Sequence, residues 1–146
     1  MPEIAWVPYG QRNKYPHMMP ADVKIWEAYL RENPDSFDRV AYDVPVGEGT
    51  PLDTVVSPET GGDVNRLYQR KIDVVAQRAN ITFVIEIKPR ASTAALGQAR
   101  GYHTLFRREY SFPGGLIPMV ITDELLPEMK MLARDANVQL VLVSGK

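Results

Sequence analysis

Residues 71–88, KIDVVAQRANITFVIEIK, decide the fold. Both halves are rich in Val, Ile and Phe, the β-branched and aromatic residues that fill strands. Ala79-Asn80 interrupts them, and Asn80 is the residue expected to take a left-handed turn conformation. The stretch therefore reads as a hairpin. A turn centred on Ala79-Asn80 pairs Arg78 with Ile81 and carries Asp73 opposite Glu86. Directly opposed residues of an antiparallel pair have Cβ atoms about 5 Å apart. Carboxylates that close repel each other, and a divalent cation relieves the repulsion by taking oxygens from both at about 2.1 Å. Glu86 and Lys88 are two apart on one strand and share a face. Ile85 and Ile87 point to the other face, into apolar surroundings. An ammonium beside the two acids can polarise an attacking water or neutralise charge building on a phosphate, and the Ile87 carbonyl can add a metal ligand.

The flanks extend this hairpin into a mixed α/β domain. Residues 1–20 hold four prolines with Trp6, Tyr9 and Tyr15 between them and read as an extended arm docked on its own domain. Residues 21–32 read as a helix, with Val23, Trp26 and Leu30 at helical spacing and Asn33-Pro34 ending it. Residues 37–46 alternate as a strand. Residues 47–63, GEGTPLDTVVSPETGGD, form a long loop of the kind that in small domains is usually functional. After the hairpin, Pro89 stops the strand, and Ser92 or Thr93 caps a helix running to about Tyr110. Leu116–Thr122 is a strand whose Pro118 implies an edge or a bulge. Asp123 is expected to cap a helix to about Ala136. Val138–Val143 is an apolar strand expected to be buried on both faces and parallel to the preceding one. The expected order is α-β-β-β-α-β-α-β, a mixed sheet with helices on its faces, in one domain over 21–146 behind the arm.

Composition narrows the chemistry. There is no cysteine, which excludes disulfides, thiolate metal sites and a cysteine nucleophile. The two histidines, His17 and His103, are far apart, and His103 reads as a helix-surface residue. A metal here is expected to be a hard cation on oxygens, Mg²⁺ or Mn²⁺. The amino-terminal residues do not resemble a signal peptide and no membrane-length apolar run occurs, so an intracellular, cytoplasmic protein is expected. Net charge is −1, but residues 64–110 hold nine Lys and Arg against three acids. That basic stretch can draw a polyanion, and Arg90, Arg100, Arg107 and Arg108 are its candidate phosphate contacts. Asp43, Asp53 and Asp63 carry no positional argument toward Asp73.

With Ile72-Asp73, Glu86-Ile87-Lys88 and the element order αβββαβ over roughly 21–143, the sequence resembles the PD-(D/E)XK nuclease superfamily. Its usual proline before the aspartate is here Ile72. Gln98 and Tyr102, in Q-A-R-G-Y, match the Q-x-x-x-Y pattern of RecB-like members, and their i, i+4 spacing places them on one helix face. The resemblance implies a restriction-endonuclease-like core and metal-dependent DNA cleavage in recombination, repair or phage and mobile-element DNA processing, by a chain working as a homodimer. Asp73, Glu86 and the Ile87 carbonyl would hold the metal, with Glu27 contributed by the first helix. Lys88, Gln98 and Tyr102 would act on water and substrate. A non-catalytic nucleic-acid-binding or subunit-interaction module on the same fold is the alternative.

Overall fold

The structure, a computed structural model, describes residues 3–47 and 70–144. The described residues form a six-stranded sheet in sequence order: β1 (Val7–Pro8), β2 (Arg39–Val46), β3 (Arg70–Arg78), β4 (Ile81–Ile87), β5 (Gly115–Thr122) and β6 (Gln139–Leu142). Helix α1 (Pro20–Glu32) precedes β2, α2 (Thr93–Glu109) links β4 to β5, and α3 (Met129–Asp135) links β5 to β6. β1 to β4 are antiparallel and β4 to β6 parallel, so the expected mixed α/β sheet is the observed one. The expected loop lies outside the described residues beyond Gly47. No helix among the described residues is long and apolar enough to cross a membrane.

Each face of the sheet is covered by its own layer. α1 buries Ile25, Trp26 and Tyr29 against Val40, Val74, Ala76, Ile85, Ile87 and Ile121. α2 and α3 cover the other face, over Val75, Val84 and Val120. Fully buried Trp26 anchors the first layer: its ring stacks on Tyr29, and its Nε1–H donates to the Tyr42 hydroxyl at 2.9 Å. The amino-terminal arm joins this layer. β1 pairs with β2, Tyr15 is buried, and the Tyr9 hydroxyl donates to the Asn33 carbonyl at 2.5 Å.

The ribbon of β2 and β3 turns over at one level. Val40 and Tyr42 pack toward α1, whereas Val44 and Val46 pack toward α2. On β3, Val74 and Ala76 face α1, and Ile72 faces α2. The alternation of period two is broken on both strands at Asp43 and Asp73, and Asp43 has φ +56. Aspartate tolerates this left-handed conformation better than most residues.

Four expectations need correction. The left-handed residue of the β3–β4 turn is Ala79, φ +52, not Asn80. Asn80 instead accepts the Gly115 N–H at its carbonyl (3.1 Å), and a Cβ on Gly114 (φ +59) would lie 2.1 Å from that oxygen, so only glycine fits there. α3 begins at Met129 rather than at Asp123, because Pro127 disfavours helical backbone at Leu126. β6 is an edge strand with exposed Gln139 and Leu142, not one buried on both faces. His103 is buried, with its Nε2 3.0 Å from the Leu116 carbonyl oxygen. Pro118 sits where β5 pairs with Val84 of β4 but β6 has not yet begun, so it is a local edge inside the sheet and its missing N–H leaves no gap in the β5–β6 ladder.

Removing the anchor should be costly. Trp26→Ala is expected to destabilise the fold by about 3–5 kcal/mol, read as a lower urea midpoint. An unchanged midpoint would show that α1 is not what holds this layer.

Candidate active site

β3 and β4 keep the expected register from Arg78–Ile81 to Val74–Ile85, and one step further sets Asp73 across from Glu86. There the ladder stops, and the Ile87 N–H donates instead to Asp73 Oδ2 at 2.9 Å. β4 thus ends its pairing with β3 on the Asp73 carboxyl group. Val75 and Val84 lie two residues from Asp73 and Glu86 and pack toward α2, so the pair faces that helix.

The electrostatics of the pair are extreme. Glu86 is 2% exposed, and its Oε1 is buried without a hydrogen-bond partner. Burial, followed by the Asp73 charge, pushes Glu86 up to about 9, against a weaker opposing pull from Lys88. Asp73 is raised as well, first by burial, with its Ile87 hydrogen bond opposing and the Asp22 charge adding. Both shifts favour the protonated form of the pair, most strongly at Glu86. Such a group favours protons in the folded state.

Gln98 and Tyr102 come to this pair from α2. The Gln98 Nε2–H donates to the Tyr102 hydroxyl at 3.1 Å. Tyr102 is buried, which raises it, and Glu86, Arg70 and Asp73 are its charged neighbours. Lys88 follows β4, its backbone N–H held by the Ile121 carbonyl at 3.0 Å, and its ammonium acts on Glu86, Asp73 and Asp22. With Arg90, Ser92 and Gln98 it lines an open cleft.

Other candidates lie elsewhere. Glu27 accepts from Gln11 Nε2 at 3.2 Å and neighbours Tyr15, away from the pair. The acid that α1 directs toward Asp73 and Lys88 is Asp22, which the sequence reading passed over. Its signal was available: positions 22, 25, 26 and 29 form one helical stripe, and the last three are buried. Among the described residues no three acids or histidines gather closely enough to hold a metal. Asp73 and Glu86 stand as a pair of carboxyl groups, with the Ile87 main chain adjoining. Arg90 is exposed, has φ +45 and pairs with Glu124, while its N–H donates to Asp123 at 3.0 Å. Arg107 is about 180° around α2 from Gln98 at 100° per residue, and with Arg100 it flanks His103. Arg108 is exposed near the helix end. Asp43 accepts ion pairs from His17 (3.4 Å) and Lys71 (3.5 Å), whereas Asp53 and Asp63 lie outside the described residues.

No protein-family model and no curated protein matches this sequence. Among solved structures the chain is similar to a repair endonuclease from Pyrococcus abyssi, with TM-score 0.53 and 15% identity over 92% of this chain and 50% of that one. It is also similar to EndoMS in its complex with dsDNA, with TM-score 0.52 and 15% identity over 94% of this chain and 50% of that one. The fold is the one these endonucleases carry. This chain spans about half the length of either.

The acid pair predicts a pH signature. Because Glu86 is raised above its unfolded value, its contribution to stability is greatest below the ordinary carboxylate range and is lost as pH rises toward about 9. In EDTA, the wild-type Tm should fall more steeply over that window than the Tm of Glu86→Gln. Parallel profiles would contradict a protonated buried pair.

Proposed function

We propose that this protein is a divalent-metal-dependent nuclease that hydrolyses DNA phosphodiester bonds in recombination, repair or phage and mobile-element DNA processing. The observation that carries the reading is the pairing of half-buried Asp73 with buried Glu86, whose Oε1 has no partner. A buried acceptor without a partner is costly, and a hard cation held by Asp73 and Glu86 would satisfy it. Mg²⁺ suits such a site, since it is commonly held by one or two carboxylates with water and substrate phosphate completing the shell. Asp73, Glu86 and the Ile87 carbonyl would hold Mg²⁺ or Mn²⁺, which when bound lowers the pKa of water and offsets charge on a phosphoryl oxygen.

The remaining residues have roles set by their own chemistry. Lys88 keeps an ammonium beside the acids, where it orients a nucleophilic water and offsets negative charge gathering on the phosphate. Tyr102 accepts its hydrogen bond from Gln98, so its own proton is free to go to a substrate oxygen. Gln98 thereby fixes the direction of that donor. DNA as substrate is supported by the shared fold of the two endonucleases, one of them solved with dsDNA. Each chain brings one carboxylate pair, so cutting both strands of a duplex takes two copies, which favours a homodimer.

Linear, circular, single-stranded and branched DNA, each incubated with Mg²⁺, Mn²⁺ or EDTA, test this reading. Cleavage is expected with either metal and not with EDTA. Asp73→Ala should abolish it, and Lys88→Ala should slow it about 10²-fold or more. DNA binding without cleavage in any metal would instead establish a non-catalytic module.

A further inference from the structure

The parting of β3 and β4 at the acid pair creates two arms, and each arm carries a cation. Lys88 stands on the β4 arm. On the β3 arm stands Arg70, three residues before Asp73, or about 10 Å along the strand at 3.3 Å per residue. Arg70 is two before Ile72, which packs toward α2, so strand alternation sends both side chains to the α2 side. Tyr102 of α2 has Glu86, Arg70 and Asp73 as its charged neighbours, which places Arg70 at the same opening as the two acids.

Arg70 also differs from the other cations around this opening. Lys71 is paired with Asp43, Arg90 with Glu124, and Lys88 interacts with Asp22. Arg70 is exposed and has no ion-pair partner among the described residues. A hydrated guanidinium with no ion-pair partner among the described residues offers a planar fork of donors that suits a phosphate group. Its distance along the strand from Asp73 exceeds what a group acting on the same phosphorus needs, while a long arginine side chain spans toward the neighbouring phosphate of a polynucleotide. On the nuclease reading, on which this inference rests, we propose that Arg70 is a substrate-contacting residue that grips a backbone phosphate adjacent to the one being cut, and so holds the strand across the gap between the arms.

The test compares wild type, Arg70→Ala and Arg70→Lys, using a labelled DNA oligonucleotide that the wild type cuts. Binding is measured in EDTA over a salt series and cleavage in Mg²⁺. Loss of one phosphate contact should flatten the slope of log K against log salt by about 0.7–0.9 in Arg70→Ala. It should also raise KM about tenfold, the scale of one lost charge-assisted contact, with kcat changed far less. Arg70→Lys should restore the salt slope, because charge alone sets that term. Wild-type slope and KM in Arg70→Ala, with wild type cutting normally, would overturn this inference and leave the nuclease reading standing. A fall in kcat with unchanged KM and slope would overturn it too, since that is the mark of a group acting at the reacting phosphorus. A wild type that neither binds nor cuts any DNA would overturn the nuclease reading and this inference with it.

Discussion

Two carboxyl groups facing each other, Glu86 buried and Asp73 half-buried, are the constraint around which this molecule is arranged. A polar pair at the end of a β-ladder would ordinarily be displaced by water, yet here α2 closes over one side of the sheet and α1 over the other. Asp73 is held because it accepts the N–H that the interrupted ladder leaves on Ile87. The hydrogen bond that ends strand pairing therefore also orients an Asp73 oxygen. Local strain and burial of polar groups tend to concentrate at such places, and the left-handed Asp43 at the level of Asp73 belongs to that pattern.

Helix α2 does two jobs with two flanks. Its core flank, through Ala95, Ala99 and Phe106, packs on the sheet. The neighbouring flank presents Gln98 and Tyr102 to the acids, so side chains that touch the site are fixed by the same packing that stabilises the fold. α1 contributes from the opposite layer through Asp22 in its first turn, where a negative charge also suits the helix dipole.

Much of this was legible in the sequence because strands have a period of two and a two-residue turn leaves little freedom of register. Once Ala79-Asn80 was read as the turn, the placement of Asp73 across from Glu86 followed, and so did Gln98 with Tyr102 from helical spacing. Assignments that depend on what packs outside an element were less legible. An apolar run such as Val138–Val143 looks the same in sequence at the centre of a sheet and at its edge. Glu27 and Asp22 differ only in helical phase, and the phase is decided by which residues of α1 meet the sheet. The turning-over of β2 and β3 at Asp43 and Asp73 has no composition signal, since aspartate is unremarkable in a loop and rare only inside a strand. Arg70 was visible as part of a basic stretch, but its place at the opening depends on that change of face.

The outer margin of β2 has a consequence for how the molecule behaves in a crowd. Among the described residues β1 pairs with only Val40 and Arg39 of β2, and a strand margin without a pairing partner invites neighbours to add to it. Pro45 has no N–H to offer an incoming strand, and its carbonyl is already taken by the Tyr110 hydroxyl at 2.7 Å. Just before it, the backbone at Asp43 swings out of the flat geometry that stacking requires. These features make the described part of this margin a poor template for an added strand.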